Sequence, residues 1–152
     1  MMLHSRKIGK SSKLFCLFLV LTLLLSATTL MAGAAGNYHD TLFEASADTY
    51  AGELETVCRN KLDSSSSYAY NMKSSCAVTA FVYGCAYAEG HPNALPYFAY
   101  NCTYGSAKTI PVGDAYYLPN LVKEMGYQSA CLIFNFPSGW NNLYIWWSPD
   151  SV

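Results

Sequence analysis

Ser75-Cys76-Ala77-Val78-Thr79-Ala80-Phe81-Val82-Tyr83-Gly84-Cys85-Ala86-Tyr87-Ala88 decides how the rest of the chain is read. The run is apolar at almost every position, so neither a two-residue nor a 3.6-residue period stands out. Such a run suits a buried helix or a buried strand, and length and flanking residues must arbitrate. Its length favours a helix; Ser74 or Ser75 is a ready N-cap, and Gly90, Pro92 and Pro96 supply the stop. The β-branched Val78, Thr79 and Val82 keep a strand open. The expected element is a helix apolar on all sides, and so buried at the centre of its domain.

Upstream, Asp40 to Leu62 carries Phe43, Ala47, Tyr50, Leu54, Val57, Cys58 and Leu62 at spacings of three and four. Acids lie early in this segment and Arg59 and Lys61 late, as a helix dipole favours. Asp63-Ser64-Ser65-Ser66-Ser67 reads as a connector. Residues 35–67 are therefore expected to form an acidic helical arm and serine linker, and residues 68–152 the main domain. Downstream, Asp114 caps an expected helix running to about Met125, with Gly126 as its stop. Ala130 to Phe136 reads as a buried strand, Pro137 to Gly139 as a turn, and Leu143 to Trp147 as a further apolar element. The expected class is α+β, a small single domain organised on a central buried helix at about 75–88.

The beginning of the chain has a different character. Arg6, Lys7, Lys10 and Lys13 precede an apolar run from Leu14 to Leu25 broken only by Thr22, and small residues Ala32 to Gly36 close it. A basic head, an apolar core and an Ala-x-Ala site form the pattern of a secretory signal peptide over residues 1–34, cut after Ala34. The rival is an uncleaved membrane anchor, since the apolar stretch reaches the ~20 residues that span a bilayer. Either way the remainder is expected outside the cytoplasm, secreted or extracytoplasmic.

All ten acidic residues follow the signal, against Arg59, Lys61, Lys73, Lys108 and Lys123. That acidic balance argues against a nucleic-acid partner, and against membrane contact other than through an uncleaved signal. All thirteen Tyr and all three Trp also lie downstream. Tyr97, Tyr100, Tyr104, Tyr116, Tyr117, Trp140, Tyr144, Trp146 and Trp147 offer aromatic faces that, exposed in a row, would stack on sugars or a protein; core packing is the expected use of most.

Five cysteines follow the signal: Cys58, Cys76, Cys85, Cys102 and Cys131. In an oxidising compartment thiols pair, and an odd count leaves one over, free or in a disulfide-linked dimer. On one helix, Cys76 and Cys85 would stand ~13 Å apart on opposite faces, too far for a bridge. Cys85 must then look to Cys58, Cys102 or Cys131, and Cys76 is the candidate free thiol. No closely spaced Cys/His set suggests a metal, and no motif suggests a cofactor. Asn101-Cys102-Thr103 fits the glycosylation sequon.

Asn71-Met72-Lys73-Ser74-Ser75-Cys76-Ala77-Val78-Thr79-Ala80 resembles the nucleophile segment of papain-like cysteine peptidases, nearest the bacteriocin-processing branch. In that family a Cys opens the central helix, where the dipole and free N–H groups favour thiolate and can hold an oxyanion. The resemblance covers about Tyr68 to Trp147 and implies Cys76 as nucleophile acting on a peptide or protein. Such a thiol needs an imidazole base. The family takes it from a later lobe, whereas here no His follows His91, which is left as the sole downstream candidate. Ala77-Val78 stands where the family has Gly-Pro, and no Gln precedes Cys76. The resemblance therefore implies the first half of a papain-like fold, truncated or degenerate and inactive as it stands. The competing class is a non-enzymatic, disulfide-braced secreted protein: a bacteriocin-like toxin, an inhibitor or a surface-binding module.

Overall fold

Val78–Cys85 is a β-strand, and the architecture around it is almost wholly β. The computed structural model describes residues 36–49 and 53–151. The signal-peptide reading falls on residues 1–34 and so lies outside the described residues. Ten strands occur among the described residues: β1 (Thr41–Thr49), β2 (Glu53–Glu55), β3 (Arg59–Asn60), β4 (Ser67–Asn71), β5 (Val78–Cys85), β6 (Tyr100–Asn101), β7 (Lys108–Ile110), β8 (Ala115–Leu118), β9 (Ser129–Asn135) and β10 (Gly139–Ser148). A three-residue 3-10 turn at Pro96–Phe98 is the only helical element among them.

The strands form two antiparallel sheets. One has the order β1-β10-β4-β8. In the other, β2 and β3 pair with one side of β9, β5 with its far side, and β6 and β7 with β5. Inward residues of both sheets share one core: Ala69, Leu143, Ile145 and Trp147 from the four-stranded sheet, Val78, Val82, Leu132 and Phe134 from the six-stranded one. Phe43 on β1 packs against Phe134 of β9 with ring centroids 5.7 Å apart and planes tilted by 35°. The result is a two-layer β-sandwich.

This overturns the α+β expectation and the papain-like resemblance with it. The expected central helix at 75–88 is instead a sheet strand, flanked by β9 on one side and by β6 and β7 on the other. A strand covered on both faces reads as one apolar run, so its period is hidden. The branched and aromatic residues Val78, Thr79, Phe81, Val82 and Tyr83 were the better guide. Gly84 is fixed by close approach: a Cβ there would lie 2.6 Å from the Tyr127 ring and 2.9 Å from Cys102 Sγ.

The expected helix at Asp40–Leu62 is likewise absent. Thr41–Thr49 lies along β10 in a nine-pair ladder, from Thr41 opposite Trp147 to Thr49 opposite Gly139. The serine run is a turn inside one compact unit, Gly36–Val152, and Ser67 is already buried in β4. The helix expected from Asp114 is β8 followed by turns. The strand at Ala130–Phe136 is found where expected, as β9, and the apolar element at Leu143–Trp147 lies within β10.

Three buried charged residues, Lys61, Asp150 and Arg59, tie the ends together. Lys61 Nζ pairs with Asp150 Oδ1 at 2.8 Å, both side chains fully buried, and donates also to the Ser65 and Pro149 carbonyls. Asp150 Oδ2 accepts from the Asn37 and Leu62 N–H groups. The Arg59 guanidinium donates to Thr41 Oγ1, Asn37 Oδ1 and the His39 and Trp147 carbonyls, and lies 5.2 Å from the Trp147 ring centroid.

Candidate functional site

With no helix to open, Cys76 loses the dipole and free N–H groups that the peptidase reading required. It lies in the turn before β5, half-buried against the inter-sheet core. Its carbonyl accepts from Asn71 Nδ2, which also bonds the Ile110 carbonyl and so braces two loops. Burial pushes the Cys76 thiol up, with a weaker opposing hydrogen bond involving Ser75. His91 belongs to the loop after β5: its ring stacks on Tyr87 at 4.4 Å, and its Nδ1 accepts from the Asn93 N–H. Cys76 faces the core as Val78, Ala80 and Val82 do, while the His91 loop runs over the opposite, outer face of the same sheet. The structure does not bring the two together.

That outer face of the six-stranded sheet gathers the cysteines instead. Cys58, Cys85 and Cys131 form a buried cluster with Ala94, against which Tyr83 and Ala99 pack. A bulge sets it up. Glu55 pairs with Ile133 and Arg59 with Ala130, so Thr56, Val57 and Cys58 oppose only Leu132 and Cys131. Val57 is pushed into solvent, at 73% exposure, and Cys58 is brought opposite Cys131. Thr56 Oγ1 accepts the Leu132 N–H that the bulge would otherwise strand.

The closest cysteines stand 4.0–4.3 Å apart, beyond a sulfur–sulfur bond, so all five are thiols here and the expected disulfide brace is not seen. The neighbouring Cys131 thiol lowers the Cys58 pKa, while Cys131 itself is raised by Cys58 and by burial. Among the described residues no group of His, Cys, Asp and Glu has the arrangement of a metal site.

The outer face of the four-stranded sheet is built differently. Alternation along β10 sends Leu143, Ile145 and Trp147 inward and Trp140, Asn142, Tyr144 and Trp146 outward. Along β4, Ala69 faces in while Tyr68 and Tyr70 face out. The register then aligns the outward residues into rows: Leu42, Trp146, Tyr70 and Ala115 in one, Ser148, Tyr68 and Tyr117 in the next. Tyr68 and Tyr117 have ring centroids 5.7 Å apart and are tilted by 53°. Lys73 places its ammonium 4.6 Å from the Tyr144 ring centroid, capping that aromatic. At the Tyr68 end the face dips into a pocket of about 230 Å³ lined by Tyr38, Asp40, Tyr68, Tyr117, Ser148, Asp150 and Ser151.

A family model matches residues 29–151. The chain belongs to the family described as "Protein of unknown function (DUF2712)". No curated protein and no solved structure matches it. The match takes in every strand of the sandwich, so both outer faces fall within the family's domain.

The expectation that most aromatics serve the core is reversed. Among the nine singled out in the sequence, Trp147 is the one that is buried, whereas Tyr97, Tyr100, Tyr104, Tyr117 and Trp140 are each more than 60% or about 60% exposed. Tyr68, Tyr70, Tyr38 and Asp40 were not singled out at all. The signal for the first two was available, because Tyr68-Ala69-Tyr70-Asn71 and Leu143-Tyr144-Ile145-Trp146-Trp147 both alternate in the way of a strand with one open face.

Proposed function

We propose that this is an exported, non-catalytic binding module that engages polysaccharide through the outer aromatic face of its four-stranded sheet. The observation that carries the reading is the aligned outward set Trp146, Tyr70, Tyr68 and Tyr117. Neighbouring strands lie about 4.8 Å apart, and successive outward residues about 7 Å apart along a strand. Rings held on that grid form a broad, shallow platform. Soluble proteins seldom leave contiguous aromatic surface open without a binding role.

Sugar rings suit this platform because each presents apolar C–H groups on its face and hydroxyls around its edge. Tyrosine and tryptophan match both, with an apolar body and a polar tip. Glu44, Ser46 and Asn142 lie beside the platform on β1 and β10 and offer further hydrogen-bonding groups. The acidic balance of the exported part disfavours anionic polymers. The basic, apolar start of the chain supports export to where such polymers are met.

The test is co-sedimentation of the purified protein with insoluble cellulose, chitin and bacterial cell-wall sacculi. Binding to at least one, weakened at least about tenfold by Trp146→Ala with Tyr70→Ala and kept by Tyr97→Ala in the 3-10 turn outside both sheets, is the expected result. Binding to none of them, or binding indifferent to the double substitution, removes the reading.

A further inference from the structure

The pocket at the Tyr68 end of the platform differs from the platform itself in charge. Its walls are the rings of Tyr68 and Tyr117, tilted to each other by 53°, and the ring of Tyr38. Tyr38 is steered into place by its hydroxyl, which donates to Asp63 Oδ2 at 3.2 Å. Asp40 lines the same pocket and is exposed. Asp150, also in the lining, is consumed by Lys61 and two backbone N–H groups. The single ion pair among the described residues is Lys61–Asp150, which leaves the Asp40 carboxylate without one.

The nearby cations do not cancel this. Lys61 is buried and spent on Asp150 and two carbonyls. Arg59 keeps its charge, since its guanidinium donates only to neutral acceptors, and it feels Asp40; it is buried, however, and does not line the pocket. With Asp150 neutralised by Lys61, the pocket's free carboxylate is Asp40, and Asp63 adds a second negative charge behind the Tyr38 wall. The negative field reaches the rings: burial first and Asp40 second hold the Tyr68 hydroxyl above its ordinary pKa.

We infer that this pocket binds an organic ammonium group, and that the platform's ligand is therefore an amino-bearing polysaccharide. Aromatic faces attract a cation through their quadrupole, most strongly where water is partly excluded, and an adjacent carboxylate adds charge attraction. A pocket of about 230 Å³ admits one such group with part of its sugar ring. The identification of the polymer rests on the polysaccharide reading above; the ammonium site does not.

The experiment uses three probes on the full protein, followed by tryptophan and tyrosine fluorescence or by calorimetry: tetramethylammonium, a chitin oligomer and its deacetylated counterpart carrying free amines. The expected result is saturable tetramethylammonium binding that Asp40→Asn weakens several-fold. The deacetylated oligomer should bind about tenfold more tightly than the acetylated one, an advantage that Asp40→Asn abolishes. Equal affinity for the two oligomers overturns the amino-polymer assignment while sparing the platform. Tetramethylammonium binding without either oligomer overturns the platform and keeps the pocket. No effect of Asp40→Asn on any probe overturns the ammonium site, and near-ultraviolet circular dichroism of the variant confirms that its fold is intact.

Discussion

The two sheets of the sandwich bury the same kind of inner face and finish their outer faces in opposite ways. Behind the six-stranded sheet, the loop from Ala86 to Ala99 folds back over Cys58, Cys85 and Cys131. It is held by a reciprocal pair of hydrogen bonds between Asn60 and Glu89 and by Ser129 Oγ donating to the Tyr87 carbonyl. In β9 only Asn135 is exposed. Behind the four-stranded sheet no comparable loop covers the centre among the described residues, and its outward positions include the half-buried Trp146, Tyr70 and Tyr68 and the exposed Tyr117. The covered face spends its cysteines on a second small core, while Tyr97 in the covering loop and Tyr100 on the edge strand β6 stay exposed. An open one with large rings is left available for a partner.

Neighbours on β10 offer the sharpest way to break that contrast. Trp147 points inward at 1% exposure, and Trp147→Ala should cost about 3–5 kcal/mol, read as a lowered denaturant midpoint. Trp146→Ala, one residue earlier and outward, should cost no more than about 1 kcal/mol while weakening binding. Comparable losses at both positions would mean that the outer face is structural. Asp150→Ala should approach the Trp147 effect, about 3–5 kcal/mol, because it leaves the fully buried Lys61 ammonium unpaired.

On the covered side, Gly84→Ala should cost about 1–3 kcal/mol, since its methyl group would press on the Tyr127 ring and Cys102 sulfur. The smallest effect concerns Cys76. With its thiol raised by burial, iodoacetamide should label it slowly at neutral pH, at a rate still climbing above about pH 9. Rapid labelling in mildly acidic buffer would instead restore a thiolate and reopen the peptidase question.

How much of this the sequence disclosed depended on how openly each segment carried its period. β9 was legible because Ala130 to Phe136 is short, apolar and followed by Pro137. β5 was not, because its half-buried outward side chains Phe81 and Tyr83 are as apolar as its inward ones, and its length with a serine N-cap tipped an ambiguous run toward helix. β1 misled for another reason. Phe43 and Ala47 are four residues apart, a helical spacing, yet four is also even, and both side chains turn inward from a strand. The platform was half legible: the aromatics of β10 were noted, but only pairing with β4 and β8 reveals that Trp146, Tyr70, Tyr68 and Tyr117 adjoin. The pocket was not legible, since Tyr38, Asp40, Tyr68 and Tyr117 meet only through the sheet register and the Asp150 latch.

The most direct measurement is a nuclear magnetic resonance titration of the isotope-labelled protein with soluble glucan and chitin oligosaccharides, reading backbone and tryptophan indole shifts. Perturbations should gather on Tyr68, Tyr70, Tyr117 and Trp146 and leave Ala86 to Ala99 untouched. Shifts confined to the covered cysteine side, or none with any oligosaccharide, would contradict the assignment of the open aromatic face as the working surface.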